Sequence, residues 1–163
     1  MIPIFLFSRQ CRVRREPVEK KILYFEDISE GQEAPPLAAP PVTRTQIVKY
    51  AGASGDFNPI HHDELYAIRA GNDRVFAMGM MSAGFLSRMI TDWVGDGKLR
   101  RYRVRFGRQV WPGDTITCRG KITRKFSEDG KSYMEAEVLA ENQRAEKVIT
   151  GMIVAEVISR QAA

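Results

Sequence analysis

The stretch that decides the fold is residues 79–94, which read GMMSAGFLSRMITDWV. Small residues occupy many of the positions between its large apolar side chains, which recur every four residues at Met81, Phe85, Met89 and Trp93. A helix that is apolar or small on almost every side is usually buried rather than laid on a surface. The stretch therefore predicts a long central helix that begins at Gly79 and stops at the Gly95-Asp96-Gly97 sequence.

The sequence after this helix changes to a period of two. Three runs alternate apolar and polar residues, as half-buried antiparallel strands do: residues 99–110, 116–122 and 134–141. Turn-forming residues separate them, and a last run, 148–158, is apolar on both faces, which is typical of a central strand. Strands that cluster after one long helix predict an α+β fold in which a curved antiparallel sheet is wrapped around that helix.

The segment before this helix begins with extended structure. Residues 22–28 predict a strand that ends in a turn at Glu30-Gly31, and four prolines make residues 34–41 an extended connector. We expect one folded domain over residues 21–163. Residues 1–20 contain four arginines and no acidic residue before Glu16, and we interpret them as a basic, disordered extension, with a mitochondrial presequence as the alternative.

Two short helices are predicted between the connector and the long helix. Thr43 or Thr45 can cap the first one, and Gly52 and Gly55 can end it. The second covers residues 63–70 and is closed by a glycine.

Composition excludes several classes of function. The chain has 163 residues and a formal net charge of +5, but without the four N-terminal arginines the remainder is nearly neutral, which argues against a nucleic-acid partner. No apolar run approaches the roughly 20 residues of a membrane span, so we expect no membrane insertion. Two cysteines, Cys11 and Cys118, do not make a disulfide framework and suit a reducing cytoplasm.

The chemistry of the chain concentrates in residues 50–71. Asp56 and His61 lie five residues apart, on either side of an Asn58-Pro59 pair that excludes a continuous helix. A loop can bring the carboxylate and the imidazole together, where such a pair can take and give protons. An aspartate near a histidine is also commonly a hydrogen-bonded structural pair, and the residues alone leave both readings open.

The motif Gly-Asp-Phe-Asn-Pro-Ile-His at residues 55–61 closely resembles the signature of the MaoC-like (R)-specific enoyl-CoA hydratases and (3R)-hydroxyacyl dehydratases. The resemblance implies the hot-dog fold and a cofactor-free hydro-lyase of fatty acid metabolism. It also implies that Asp56 and His61 jointly handle one water molecule. The substrate would be a thioester of coenzyme A or of acyl carrier protein, and the protein would form a homodimer or a higher homo-oligomer.

The addition of water to a conjugated thioester places negative charge on the carbonyl oxygen. The first amides of a helix are unpaired and can stabilise that charge, which makes Gly79 a candidate substrate-binding residue. The family carries His-Gly-Met here, whereas this chain carries Met78-Gly79-Met80, which changes the pocket and the substrate preference. Ser87 matches a family serine that holds the reacting region, and its alternative role is close helix packing. Asn58 is expected beside the substrate as the residue that fixes the loop.

Other readings of the same residues remain open. A thioesterase of the same fold would direct water at the carbonyl carbon, and a non-catalytic subunit of a heteromeric dehydratase would need neither Asp56 nor His61. A metal site that adds His62 and Asp63 is disfavoured because adjacent histidines converge poorly, and we expect no metal. The arginines at 101, 103 and 105 could meet phosphates or an acidic carrier protein, or form a solvated sheet face. Methionines 80, 81 and 89 are expected in the core, or along an acyl tunnel.

Overall fold

The computed structural model describes residues 22–162, so the predicted extension at residues 1–20 lies outside the described part. The helices are α1 (Arg44–Ser54), α2 (Glu64–Arg69) and α3 (Gly79–Val94). The strands are β1 (Leu37–Ala38), β2 (Leu99–Phe106), β3 (Ile116–Glu128), β4 (Lys131–Asn142) and β5 (Lys147–Val157). Short 3-10 helices cover Phe25–Asp27, Pro59–His61 and Arg160–Ala162. No helix within residues 22–162 is long and apolar enough to cross a membrane.

The five strands form one antiparallel sheet in the order β1-β3-β4-β5-β2. The prediction of an α+β fold is therefore confirmed, and β5 is an interior strand because it pairs with both β4 and β2. Alternation along the strands gives the sheet two different faces. The inner face is apolar and packs on α3, while the outer face, which points away from α3, is rich in charged side chains.

The long helix α3 begins and ends at the predicted residues. Leu86, Met89 and Ile90 are buried in the core between the helix and the sheet. Gly120 of β3 permits close packing of the helix, because a Cβ at that position would lie 3.1 Å from the ring of Trp93. Met80 departs from the predicted core position, since it lies on the outer side of the first helical turn and is 60% exposed.

A tyrosine joins the edge strand β2 to α3. The hydroxyl of Tyr102 donates a hydrogen bond to the backbone oxygen of Ala83 at 3.0 Å. Burial raises the pKa of Tyr102 to about 12, so the hydroxyl keeps its proton and remains a donor. This bond fixes β2 against the second turn of the helix.

The predicted strand at residues 22–28 is wrong. Tyr24 makes a single parallel bridge with Ile158, and the chain then turns into a 3-10 helix. The Glu26 carboxylate accepts hydrogen bonds from the Ser159 hydroxyl and the Arg160 amide, so side chains rather than a strand ladder hold this segment. The run predicted over residues 99–110 also ends earlier, at Phe106. A side chain at Gly107 would collide with the backbone oxygen of Lys147, 2.7 Å from the added Cβ.

The turn before β3 is organised by a buried carboxylate. Asp114 is 3% exposed. It accepts hydrogen bonds from the Trp111 amide at 2.9 Å, the Gln143 side chain at 2.7 Å and the Arg144 guanidinium at 3.3 Å. Burial alone would raise the pKa of Asp114, but these hydrogen bonds and the charge of Arg144 outweigh burial and lower the pKa below its usual value of 3.8. The ionised carboxylate therefore stabilises the fold at neutral pH.

We predict that Asp114→Asn lowers the free energy of unfolding by about 1–3 kcal/mol at pH 7, because a buried, charge-assisted set of hydrogen bonds is weakened. Because the folded-state pKa is depressed, the contribution of Asp114 is complete above its unfolded value and is lost as the pH falls through the folded value. Urea unfolding at pH 7 and at pH values from about 5 down to 3 measures this. Asp129→Asn in the exposed β3–β4 turn is the matched control, and an equal loss at all pH values would contradict the assignment.

Candidate active site

The loop that carries the predicted acid–base pair begins where α1 ends. Thr43 caps α1 and forms a capping box with Gln46, and the helix continues through Gly52 to Ser54. Gly55 ends it with a left-handed φ of 74°, a conformation that glycine adopts without strain. Of the two predicted glycine stops, Gly55 alone is the one used.

The Asn58-Pro59 pair then shapes the loop. Asn58 has the non-helical backbone that a following proline requires, and its side-chain oxygen accepts a hydrogen bond from the Ile60 amide at 3.2 Å. This cap starts the 3-10 turn that ends at His61. The backbone N–H of Asn58 donates a hydrogen bond to the Asp56 carboxylate at 3.3 Å, so the same residue also orients the predicted catalytic acid.

Asp56 and His61 face each other across this loop. The distance between His61 Nε2 and Asp56 Oδ2 is 3.8 Å. The His61 side chain is only 8% exposed, whereas the Asp56 side chain is 44% exposed. The pair therefore combines an imidazole held inside the protein with a carboxylate that reaches solvent.

The orientation of His61 is fixed by the backbone of Phe76. His61 Nδ1 lies 2.8 Å from the Phe76 backbone oxygen. A carbonyl oxygen accepts hydrogen bonds only, so Nδ1 must carry the proton and donate it. In the neutral ring Nε2 is then an unprotonated acceptor that points toward Asp56. Proton exchange with a ligand is thus restricted to the side of the ring that faces the carboxylate.

The segment that carries this backbone oxygen is held on several sides. The ring of Phe76 packs edge-on against His61 at a centroid distance of 5.1 Å and against Trp111 at 5.8 Å. The Val75 amide donates to the Glu64 carboxylate at 3.4 Å, and the Ala77 amide donates to the Val110 oxygen at 2.8 Å. The acceptor for His61 is therefore a rigid part of the fold.

Gly79 lies three residues after Phe76, so their Cα atoms are at most about 11 Å apart. The residue before the helix, Met78, is 1% exposed and makes no side-chain cap. The first amides of α3 thus lack the side-chain acceptor that many helices provide. Gly79 and Phe76 line one apolar cavity of about 230 Å³, whose other walls include Ser82 and Phe106. The Phe106 ring lies so close that a Cβ on Gly79 would be 3.1 Å from it.

The remaining predicted residues lie in different places. Ser87 is half-buried on α3, two turns beyond Gly79, and within residues 22–162 no hydrogen bond joins its side chain to Asp56 or His61. His62 is exposed and its Nε2 approaches the Phe57 oxygen at 3.2 Å, so the two adjacent rings diverge. Within the described range, no group of three or more histidine, cysteine or acidic side chains is arranged to hold a metal ion.

Sequence reasoning did not identify Phe76, Trp111, Glu64 or Phe106 as parts of this site. The run from Arg74 to Ala77 precedes the long helix without a recognisable motif, and its importance comes from a backbone oxygen that any residue type would supply. The alternating pattern of β2 predicted only that Phe106 belongs to a strand. Its closeness to Gly79 depends on how β2 crosses the start of α3, which the sequence does not reveal.

The sequence and the fold both match known proteins. A family model described as MaoC like domain matches residues 29–144, which is more than half of the chain. The (R)-specific enoyl-CoA hydratase of Rhodospirillum rubrum is 38% identical over 102 residues, which are 61% of this chain and 69% of that protein.

Two further matches agree with this one. The 3-oxo-4,17-pregnadiene-20-carboxyl-CoA hydratase beta subunit of Mycobacterium tuberculosis is 34% identical over 80 residues, which are 48% of this chain and 62% of that protein. Among solved structures, the (R)-hydratase from A. caviae involved in PHA biosynthesis is 25% identical with a TM-score of 0.72, over 81% of this chain and 98% of that one. This likeness confirms the predicted hot-dog fold.

We predict that the two histidines adopt opposite neutral tautomers. His61 must carry its proton on Nδ1 to donate to Phe76, and His62 must carry its proton on Nε2 to donate to Phe57. Long-range ¹H–¹⁵N correlation spectra at pH about 8.5, where histidine is ordinarily neutral, distinguish the two forms. Because the chain has only these two histidines, His62→Gln assigns the signals. A His61 ring protonated on Nε2 would contradict the geometry.

Proposed function

Because the chain belongs to the family of MaoC-like domains, we propose that it is a hydro-lyase that reversibly adds water to trans-2-enoyl thioesters and gives (R)-3-hydroxyacyl thioesters. The single observation that carries this proposal is the His61–Asp56 pair, with the proton of the ring directed to Phe76 and Nε2 directed to the carboxylate. The names of the relatives favour the coenzyme A ester over the acyl carrier protein ester as substrate.

The pair has the two capacities that hydration needs. In the proposed reaction a water molecule lies beside the pair, within hydrogen-bond distance of both the Asp56 carboxylate and His61 Nε2. The pair removes one proton from this water as its oxygen bonds to C3 of the substrate, and it returns one proton to C2. The net change is the addition of one water, and the pair ends in its starting protonation state. Since both groups act from one side, the addition is syn and one product hand is formed.

The start of α3 supplies the second requirement in this proposal. Addition at C3 moves negative charge onto the thioester oxygen, and the amide of Gly79 can donate to that oxygen at the positive end of the helix dipole. Met78 leaves this turn without a side-chain cap, and Gly79 has no side chain that would keep a ligand away. The expected effect of methionine in place of the family histidine is a less polar pocket with unchanged charge stabilisation.

A heteromeric dehydratase is the second candidate, because one relative is named as a beta subunit. We favour a homodimer in which each chain keeps its own Asp56 and His61, since a purely structural subunit has no need for the pair. Activity of the purified chain alone supports this proposal, whereas activity that appears only after a partner is added supports the heteromer. A cytoplasmic location is part of the proposal, since the free thiol of Cys118 suits a reducing compartment.

We predict that Asp56→Asn and His61→Ala each lower turnover with an enoyl-CoA by about 10²–10⁴-fold, the usual contribution of a positioned acid or base. The substrates are trans-2-enoyl-CoAs of graded chain length. The reaction is measured by the loss of the conjugated double bond, and the chirality of the product is then determined. His62→Ala is the matched control and should keep full activity, because its exposed ring lies outside the pair.

Two results would contradict this assignment. Full activity of either variant, or unfolding of either variant, would contradict a catalytic role for the pair. Release of free thiol with the double bond intact would instead identify a thioesterase.

A further prediction concerns the start of α3. Gly79→Ala places a methyl group 3.1 Å from the Phe106 ring, so the ring or the first turn must shift. We expect kcat/KM to fall by at least about tenfold, because the amide that faces the thioester is displaced. Gly84→Ala is the matched control on the same helix: nothing lies within 4 Å of its new methyl group, so it should keep activity and gain up to about 1 kcal/mol of stability. Equal activity of both variants would exclude Gly79 from the site.

A further inference from the structure

The outer face of the sheet carries a second concave surface that the proposed site does not use. A cavity of about 900 Å³ lies over strands β2 to β5 on the side away from α3. Two rows of side chains cross its floor: Arg103, Met152 and Glu137 in the first, and Arg101, Val154 and Glu135 in the second. We call these six residues the outer-face rows.

The register of the sheet places each row in a straight line across three strands. Arg103 pairs with Met152, which pairs with Glu137. Arg101 pairs with Val154, which pairs with Glu135. Each row thus runs from a positive charge on β2, over an apolar residue on β5, to a negative charge on β4. Neighbouring strands lie about 4.8 Å apart, so the two charges of a row are equally distant from β5.

The outer-face rows are open to a partner. Met152 is 41% exposed, and Arg101 and Arg103 are also exposed. Within residues 22–162, no ion pair involves Arg101, Arg103 or Glu137, whereas Glu135 lies 3.5 Å from Arg124. The face therefore presents Met152 and the half-buried Val154 between a positive stripe on β2 and a negative stripe on β4. Beyond β4 the face is positive again, at Arg119 and Lys121 of β3.

We infer that the outer-face rows bind a second copy of this chain, with the two sheets packed face to face. A two-fold axis that runs above β5 and parallel to it places β5 of one copy over β5 of the other. The same rotation places β2 of each copy over β4 of its partner and leaves positions along the strands unchanged. Arg103 then faces the other copy's Glu137, and Arg101 faces its Glu135.

The charges of β2 and β4 favour a second copy as the partner. A partner of one sign that covers these strands would meet both attractive and repulsive charges, whereas a two-fold copy matches both stripes. Met152 and Val154 of the two copies pack against each other at the centre, and the two sheets lie about 10 Å apart, as packed sheets usually do. Each Arg–Glu contact occurs twice by symmetry. This interface leaves the hydrogen-bonding edge of β2 free. It can therefore be the only contact between two copies, or it can join two dimers whose sheets are paired through their β2 edges.

The test is sedimentation of the purified full chain over a range of concentrations. Arg103→Glu and Glu137→Arg are each expected to weaken self-association at least tenfold and to halve the mass of the complex, because each places two pairs of like charges in contact. The double variant Arg103→Glu/Glu137→Arg is expected to restore the wild-type mass. Arg101→Glu with Glu135→Arg provides an independent second pair.

Lys49→Glu is the matched control, since Lys49 is an exposed residue of α1 and does not line the cavity on the outer face. Its self-association should equal that of the wild type, and circular dichroism should show an unchanged fold for every variant. A wild-type chain that stays monomeric, single variants that keep the wild-type mass, or a double variant that is not restored would each overturn the inference. None of these outcomes depends on hydratase activity.

Discussion

The burial of α3 against the inner face of the sheet is the constraint on which the other features depend. Leu86 and Ile90 of this helix are fully buried, and the glycine at 120 lets the sheet approach Trp93. A helix packed this closely cannot slide or rotate without loss of core contacts. Its first residue, Gly79, is therefore held at a defined point, although the contacts that hold it lie about two to four turns away.

The same constraint reaches His61 through the backbone. Phe76 precedes α3 by three residues, and its backbone oxygen decides which nitrogen of His61 carries a proton. The core thus fixes both the helix amide and the histidine tautomer, while the position of Asp56 is set locally by Gly55 and Asn58. The 3.8 Å distance between the two side chains is therefore set by tertiary packing on the His61 side and by the local loop conformation on the Asp56 side. At this distance no molecule fits between the two side chains, but one polar atom that lies beside the pair can be within hydrogen-bond distance of both.

The parts of this arrangement that were predictable are those governed by neighbours in sequence. Apolar spacing and the glycines at 79 and 95 predicted both ends of α3, and Pro59 predicted the break before His61. For α1 the sequence offered two caps and two stops, of which the structure uses Thr43 and Gly55. The acceptor of His61 was not predictable, because it is a backbone oxygen fifteen residues away that carries no sequence signal. The segment at residues 22–28 has the composition of a strand, but its partner Ile158 lies beyond the end of β5 and offers only a single bridge.

The two faces of the sheet show why register matters as much as composition. A slip of one residue in any strand would move every side chain to the opposite face. The irregularities of pairing lie near Leu99, Ile122 and Ala140, and the segments between them that carry Arg101, Met152 and Glu137 pair without interruption. The apolar inner residues are aligned in these same segments, so the packing that buries α3 also aligns the charges on the outer face. The charge pattern of the outer face is thus fixed by the same register that aligns the core.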